Sequence, residues 1–347
     1  MQTRPQPHEQ GSLDRPFTSA SGKTPLSGHS KLPCGKVPGG TDRICEGAAL
    51  PPGVGGVCLH SIVRNTLRGC ANRFEIELAS RFVHRQVNRP LFILGCGRSG
   101  TTALGGLLSK HPHIKYLNEP RHMWIACYPE ADIWSNKARA RKGRIALSAQ
   151  DVRHLDSRRL HSLFAFQLMK SRKSLLVEKL PINSFRIPFL IAHFPDARFV
   201  HIVRNGVEVA QSIARRSAAA GWYGKYKWEL LGDYARARAG LGGLVNLCHT
   251  DYERGLLEWR LSLEAVHDSA DLLEPDAFLE ISYADLIGAP AETLTRVLSL
   301  IGESPSANVV NCALRHIERR SVAAAGGAPS SGDLQIAGPL LERYWRS

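Results

Sequence analysis

The stretch Leu91-Phe92-Ile93-Leu94-Gly95-Cys96-Gly97-Arg98-Ser99-Gly100-Thr101-Thr102 decides the fold, because an apolar strand ends there in a glycine-rich turn that opens a helix. Backbone N–H groups in such a turn, together with the positive end of the helix dipole, favour a bound anion. The loop of nucleotide triphosphatases has a lysine directly after its second glycine, where this chain has Thr101. The stretch therefore predicts a phosphate-binding loop whose side-chain cation is Arg98.

The same order of strand, turn and helix recurs along the chain. Apolar strands are predicted at 174–177, 197–203 and 278–281, and a short extended piece at 114–117. This order is typical of a three-layer α/β domain, with a central parallel sheet and helices on both faces. Candidate site residues follow several of these strands, and ligands of open parallel sheets bind beyond that carboxyl edge.

Composition narrows the class of protein. The 347 residues are 43% hydrophobic and 22% charged, which is ordinary for a globular protein. The net charge of +14 predicts an anionic ligand or partner. Basic residues are not interleaved with stacking aromatics, so nucleic acid is disfavoured. No apolar run reaches the roughly 20 residues of a membrane span and no secretory pattern opens the chain, so we expect a cytoplasmic protein.

Four segments are expected along the chain. The first is rich in Pro, Gly, Ser and Thr and lacks periodicity, which is typical of a disordered extension. An N-terminal helical lead-in and the main domain follow, and the last segment is a tail expected to pack on that domain. Their bounds are 1–56, 57–88, 89–320 and 321–347.

Two of the connecting regions have a recognisable pattern. Phe74, Leu78 and Phe82 are spaced four apart, which predicts an amphipathic helix whose apolar face packs on the first strand. Residues 216–246 are rich in Gly and Ala with interspersed aromatics. That composition fits either a lid or acceptor-binding segment, or a plain irregular connection.

The eight cysteines are widely spread and contain no C-x-x-C pair. Neither a zinc site nor a compact disulfide framework is therefore indicated, and most cysteines should be free thiols. Cys96 lies inside the predicted phosphate loop. A helix N-terminus lowers a thiol pKa, so we expect Cys96 to be reactive and its modification to block the anion site.

Four pieces of the chain, in order between residues 90 and 303, resemble motifs of the sulfotransferases that use 3′-phosphoadenosine 5′-phosphosulfate (PAPS). The loop at 95–102 resembles their 5′-phosphosulfate loop. Residues 199–212 resemble their 3′-phosphate motif, in which an arginine and a serine eight residues later hold the phosphate. Those two are Arg204 and Ser212 here. An arginine at a strand end and a serine two turns into the next helix can converge on one phosphate.

The remaining resemblance concerns the chemistry. Glu119, in Asn118-Glu119-Pro120, resembles the general base of the carbohydrate and protein-tyrosine sulfotransferases. The small-molecule enzymes use the histidine of a His-Leu-Pro sequence instead, where this chain has Lys179-Leu180-Pro181. Lys179 thus resembles the lysine that contacts the bridging oxygen or a sulfonate oxygen of the donor. His122 is a second candidate base, and His201 is expected in the core.

The resemblance implies a P-loop-like α/β fold and transfer of a sulfuryl group from PAPS to a hydroxyl of a carbohydrate, lipid or small natural product, with PAP as the product. No metal is expected, because fixed cations replace it. The resemblance leaves open whether the protein forms a homodimer. The alternatives are a P-loop nucleotide or small-molecule kinase, against which Thr101 argues, and a catalytically inactive PAP-binding protein. The implied catalytic residues are Glu119, Lys179 and Arg98, and the implied donor-binding residues are Gly97, Arg98, Ser99, Gly100, Thr101, Thr102, Arg204, Ser212 and Tyr283.

Overall fold

The structure is a computed structural model that describes residues 59–317 and 329–345; the predicted extension at 1–56 lies outside these residues. Within them, five strands form one sheet in which every pairing is parallel. The strands are β1 (Leu91–Leu94), β2 (Ile114–Asn118), β3 (Leu175–Lys179), β4 (Arg198–Val203) and β5 (Phe278–Ser282). Their order across the sheet is β2-β3-β1-β4-β5, so the first strand lies in the middle.

Helices cover both faces of this sheet. They are α1 (Leu59–Phe82), α2 (Thr101–Leu108), α3 (Arg121–Cys127), α4 (His154–Ser171), α5 (Ile187–His193), α6 (Gly206–Ala220), α7 (Lys227–Arg236), α8 (Asp251–His267), α9 (Tyr283–Gly288), α10 (Pro290–Leu300), α11 (Ala307–Ile317), α12 (Ser331–Ala337) and α13 (Pro339–Arg343). Short 3₁₀ turns lie at Pro129–Ala131, Ala149–Asp151, Pro181–Phe185, Gly242–Leu247 and Ala270–Leu272. None of the helices in the described part of the chain combines the length and apolar character needed to cross a membrane.

The sheet separates two apolar clusters. Alternate side chains of β1 point to opposite faces, so Ile93 packs with Leu104 of α2 in one cluster, while Phe92 packs with Trp259 of α8 in the other. All four residues of β1 are buried, as expected for a parallel strand covered on both sides. The predicted three-layer α/β architecture with a central parallel sheet is confirmed.

Helix α1 forms as predicted, but its predicted contact face is wrong. Phe74 and Phe82 are 71% and 74% exposed, whereas Ala79 is fully buried. The helix contacts α4 and α3. These two helices, rather than β1, are its main neighbours. A spacing of four residues identifies a helix, but the neighbour that is present decides which face is buried.

The segment 216–246 is more helical than its composition suggests. Helix α6 continues to Ala220, and α7 occupies Lys227–Arg236. Alanine and arginine are strong helix formers, so the Ala- and Arg-rich run extends α6 rather than breaking it. The expectation of a plain irregular connection is therefore wrong for most of this segment.

Residues 329–345 lie against α8 and the start of α6. Helix α12 contacts α8, and the Tyr252 hydroxyl of α8 donates a hydrogen bond to Asp333 at 2.7 Å. The Asn205 amide donates to the backbone carbonyl of Trp345 at 2.5 Å. The same side chain caps α6 by accepting from the backbone N–H of Val207 at 2.9 Å. The end of the described chain is thus tied to the residue that follows Arg204.

Candidate active site

Three residues of the loop between β1 and α2 have a backbone conformation that glycine adopts most easily. Gly95, Arg98 and Gly100 have positive φ angles of 137°, 77° and 99°. A Cβ on Gly95 would lie 2.5 Å from the carbonyl oxygen of Ile202, and one on Gly100 would lie 2.4 Å from the Tyr283 ring. The loop leads into the first turn of α2, whose backbone N–H groups have no intrahelical acceptors. This arrangement fits a bound anion.

A cleft of about 610 Å³ opens at this helix terminus. Arg98 Nε donates to Ser212 Oγ at 3.0 Å, and Arg204 Nη1 donates to the backbone carbonyl of Arg98 at 3.3 Å. The Arg204 guanidinium lies 4.5 Å from the centroid of the Tyr283 ring. The structure thus brings the loop and the predicted 3′-phosphate residues to one cleft. The sequence-predicted residues that line it are Arg98, Gly100, Thr101, Thr102, Arg204, Ser212 and Tyr283.

Two predicted donor-binding residues, Gly97 and Ser99, do not line this cleft. Ser99 is fully buried and lines neither this cleft nor the cavity described below. Its backbone N–H donates to the carbonyl of Cys96 at 3.1 Å and closes the turn. Gly97 lines the other cavity, where a Cβ would lie 2.6 Å from the Trp222 ring. Ser99 thus closes the turn of the loop, and Gly97 borders the other cavity.

Glu208 is a charged neighbour of Arg204 that belongs to none of the predicted site motifs. One of its carboxylate oxygens lies 2.8 Å from Arg204 Nε and 2.6 Å from Nη2. Glu208 follows Arg204 by four residues, and that spacing commonly forms ion pairs along a helix. The spacing is the signal that could have identified it.

Glu119 and Lys179 form an ion pair where β2 and β3 end. The register pairs Asn118 with Lys179, and the Glu119 backbone N–H donates to the Lys179 carbonyl at 2.8 Å. Lys179 Nζ lies 2.7 Å from one Glu119 carboxylate oxygen, and Arg121 Nη2 lies 2.5 Å from the other. The Lys179 side chain is 1% exposed and that of Glu119 is 30% exposed. Of the Glu119–Lys179 pair, Glu119 is therefore the accessible residue.

Burial and charge act in opposite directions on this pair. Burial alone would raise the pKa of the Glu119 carboxyl, but Lys179 and Arg121 outweigh it and hold the pKa below its usual value. Burial lowers the pKa of the Lys179 ammonium, and the Glu119 carboxylate opposes that shift. Glu119 is therefore ionised at neutral pH and can accept a proton.

Glu119 lines a second cavity of about 290 Å³. Arg98 lines this cavity as well as the cleft, so it lies where the two spaces approach each other. The apolar lining residues are Ile133, Trp134, Leu180, Pro181, Ile182, Phe185 and Trp222. The charged and hydroxyl-bearing ones are Arg98, Glu119, Arg121, Arg216, Lys227, Glu258 and Ser262.

A buried ion pair from α7 and α8 also lines this cavity. Lys227 Nζ lies 2.6 Å from Glu258 Oε1, and the Trp222 indole N–H donates to Glu258 Oε2 at 2.8 Å. Lys227 Nζ also lies 4.3 Å from the Trp222 ring centroid, in a cation–π contact. Lys227 and Glu258 could not be predicted from the sequence, because neither belongs to a motif. The aromatic residues within 216–246 were the only signal nearby.

The structure overturns one further expectation and places two histidines. Burial, with a smaller contribution from Glu258, raises the pKa of the Cys96 thiol well above its usual value, so the expected lowering is wrong. Cys96 is 2% exposed and borders the cavity of Glu119 rather than the cleft. His122 lines neither the cleft nor the cavity. His201 is fully buried in β4, and its Nδ1 lies 2.9 Å from Glu280.

One group of potential metal ligands occurs within residues 59–317 and 329–345, away from the cleft and the cavity. His111, His113 and Glu303 bring three ligand atoms within 4.8 Å of one another. These atoms already have partners, since His113 Nδ1 lies 3.0 Å from Glu303 and His111 Nε2 lies 3.1 Å from the Ser304 carbonyl. These three residues therefore form a hydrogen-bonded link between the segment before β2 and the α10–α11 connection.

Comparisons with known proteins agree with this geometry. The profile of the sulfotransferase family matches residues 90–305. The omega-hydroxy-beta-dihydromenaquinone-9 sulfotransferase Stf3 of Mycobacterium bovis is 32% identical over 143 residues, which are 41% of this chain and 32% of that protein. The chain thus matches about a third of the length of this curated relative.

Solved sulfotransferases are also similar at low identity. Sulfotransferase STF1 from Mycobacterium tuberculosis H37Rv has a TM-score of 0.47 and 19% identity, over 80% of this chain and 85% of that one. Mouse sulfotransferase SULT7A1 complexed with PAP has a TM-score of 0.34 and 12% identity, over 75% of this chain and 76% of that one. The family profile covers the whole sheet, the loop and Glu119. On that match, and as its motifs predict, the chain belongs to the sulfotransferase family.

Proposed function

We propose that this protein transfers the sulfuryl group of PAPS to a hydroxyl group of an acceptor. The observation that carries the proposal is the position of Arg98, which lines both the cleft of Arg204 and Ser212 and the cavity of Glu119. A donor in the cleft and an acceptor in the cavity would meet beside Arg98. The relative named for an omega-hydroxylated menaquinone supports a hydroxyl acceptor, and we keep carbohydrates, lipids and small natural products as its candidate classes.

The cleft residues fit a nucleotide with anionic groups at both its 3′ and 5′ positions. Arg204 and Ser212 would hold the 3′-phosphate, where a guanidinium gives a charge-assisted contact. Thr101, Thr102 and the backbone N–H groups of the first turn of α2 would hold the 5′ side. Tyr283 lies beside Arg204 and would border the nucleotide. The bound donor would supply the sulfuryl group and leave as PAP.

Glu119 is the proposed general base. Its carboxylate is ionised and partly exposed in the cavity, so it can accept the proton of the attacking hydroxyl. When Glu119 takes up that proton, its attraction for Lys179 falls. The Lys179 ammonium is then available to stabilise the negative charge that develops on the leaving group, together with Arg98. In this proposal the fixed cations supply the positive field that sulfuryl transfer needs.

Calorimetry with PAP tests the donor site. We expect PAP to bind the wild type at micromolar concentration, and Arg204→Ala to weaken binding by about 2 to 4 kcal/mol, the range for losing one partner of a desolvated charge pair. Arg215→Ala is the control, because Arg215 is an exposed arginine of α6, the helix that follows Arg204, and lines neither space. Preferential binding of ATP would instead support a kinase. PAP binding without turnover of any acceptor would support an inactive binding protein.

A further inference from the structure

The cavity that contains Glu119 also contains a buried hydroxyl group without a partner. Ser262 of α8 is 1% exposed, and its Oγ forms no hydrogen bond within residues 59–317 and 329–345. Ser269, just beyond the same helix, shows the usual arrangement, since its Oγ donates to the carbonyl of Ala265 at 3.0 Å. Buried hydroxyl groups in proteins are almost always paired. The Ser262 hydroxyl is therefore available to a molecule in the cavity.

The Lys227–Glu258 ion pair lines the cavity beside Ser262. Glu258 precedes Ser262 by one helical turn, so the two side chains share a face of α8. Lys227 Nζ has three N–H groups, and among the described residues Glu258 is its one hydrogen-bond acceptor. Lys227 and Ser262 thus offer hydrogen-bond donors to a ligand, while Glu258 and Ser262 offer acceptor oxygens.

This group matches a neutral hydroxyl better than other ligand groups. The charges of Lys227 and Glu258 balance, so this pair has no net charge with which to attract an anionic ligand group. A carbonyl would accept from Lys227 or Ser262 but could donate nothing to Glu258. An alkyl chain would leave the Ser262 hydroxyl without a partner. A hydroxyl group both donates and accepts, and so uses all three side chains.

We infer that the acceptor carries a second hydroxyl group, which is bound by Ser262, Lys227 and Glu258 while the first one reacts beside Glu119. This inference rests on the proposed function. The two polar groups come from different parts of the fold, one from the ends of β2 and β3 and the other from α7 and α8. Apolar walls that include Trp134 and Trp222 lie in the same cavity, and its volume of about 290 Å³ suits a single small ring between the two hydroxyls.

A matched pair of alcohols tests the inference. The rate of sulfation from labelled PAPS is measured for 1,4-benzenedimethanol and for 4-methylbenzyl alcohol, which differ only in the second hydroxyl. After correction for its two equivalent hydroxyls, we expect the diol to have a kcat/KM at least tenfold higher. Ser262→Ala should reduce this ratio at least threefold, through the KM of the diol. Ser269→Ala, the control, should keep the wild-type ratio.

Three outcomes would overturn the inference. The first is equal kcat/KM for the two alcohols. The second is a ratio that Ser262→Ala leaves at the wild-type value, which would mean that water satisfies the Ser262 hydroxyl. The third is sulfation of neither alcohol by enzyme that binds PAP normally. Absence of PAP binding would have a different meaning, because it would overturn the proposed function itself.

Discussion

Glu119 is held by a cation on each carboxylate oxygen, at 2.7 Å from Lys179 and 2.5 Å from Arg121. These contacts orient the carboxylate, and they also make it a weaker base than a free glutamate. A well-oriented but weaker base is useful only if the reaction rate depends more on the position of the base than on its basicity. Sulfuryl transfer satisfies this condition, because much of its catalysis comes from orientation and from a fixed positive field.

Replacing Glu119 tests its role as base. Glu119→Gln keeps the shape of the side chain but cannot take up the proton, so we expect kcat to fall by about 10² to 10⁴ fold. The affinity for PAP should stay within twofold of wild type, because Glu119 does not line the cleft. Steady-state rates and PAP calorimetry measure the two quantities. Glu77→Gln, on the exposed side of α1, is the control. A variant that keeps the wild-type kcat would exclude Glu119 as the base.

The acid limb of the pH profile should lie at unusually low pH. Lys179 and Arg121 lower the pKa of Glu119 in the folded protein, so the carboxylate persists as pH falls through the ordinary range for glutamate. We expect kcat/KM for the acceptor to hold down to about pH 4.3, the usual glutamate value, and to fall only below it. Short assays on protein preincubated at each pH separate this effect from unfolding. An acid limb near pH 6.5 would indicate a histidine instead.

At the scale of elements, the loop between β1 and α2 has two sides with different neighbours. Gly100 faces Tyr283 at the cleft, where an added Cβ would lie 2.4 Å from the ring. Gly97 faces Trp222 at the cavity, where an added Cβ would lie 2.6 Å from the ring. One short loop therefore contacts both the donor space and the acceptor space. The two faces can be changed separately.

Two alanine substitutions in this loop should have different effects. Gly100→Ala introduces a Cβ at a positive φ and against Tyr283, so we expect at least a tenfold loss of PAP affinity. Gly97→Ala displaces the Trp222 ring, so we expect a several-fold higher KM for the acceptor with PAP affinity within threefold of wild type. Calorimetry and acceptor titrations measure both variants. Equal loss of PAP affinity in the two would show that the loop moves as a unit.

The cap of α6 is a second element-scale test. Asn205 accepts from the first turn of α6 and donates to the Trp345 carbonyl. We expect Asn205→Ala to lower the free energy of unfolding by about 1 to 3 kcal/mol, from the lost cap and the unpaired carbonyl. Denaturant titration measures it, with the exposed Asn308→Ala of α11 as the control. A loss no larger than that of the control would mean that the tail does not stabilise this helix.

The donor cleft was predictable from sequence because its parts are local motifs. Arg98 lies in a loop with a recognisable pattern, and Arg204 and Ser212 belong to one strand and helix. The polar group of Lys227, Glu258 and Ser262 was not predictable, because it forms only when α7 packs against α8. The exposed side of α1 is a second feature that packing, and not sequence spacing, determines. Spacing identified the helix, but the contact with α4 decided that Phe74 and Phe82 remain outside.

At the scale of the whole molecule, Glu280 joins the sheet to the C-terminal tail. Its carboxylate lies 2.9 Å from His201 of β4, and the hydroxyl of Tyr344 donates to it at 3.0 Å. Burial alone would raise the pKa of this carboxyl, but the hydrogen bond with His201 and the nearby imidazole of His267, at 3.8 Å, outweigh it and hold the pKa far below its usual value. The ionised carboxylate therefore stabilises the fold.

This carboxylate makes stability depend on pH in one direction. Its folded pKa is lower than its unfolded pKa, so its contribution is present above the unfolded value of about 4.3 and is lost as pH falls toward the folded value. We expect the free energy of unfolding to fall more steeply in wild type than in Glu280→Gln between about pH 5 and about pH 3, a range that includes the unfolded pKa. Urea titrations at several pH values measure the slopes. Equal slopes would contradict the assignment.

The central place of β1 also governs how the protein regains its function after denaturation. Leu91 pairs with Val177 and with Arg198, and even the edge pair joins Ile114 to Leu175. Each pairing closes a long stretch of chain, which costs entropy and makes refolding slow. The loop, Glu119 and Lys179 all lie at the ends of these strands. Recovery of nucleotide binding should therefore follow the slowest refolding phase, so that secondary structure returns before the site does.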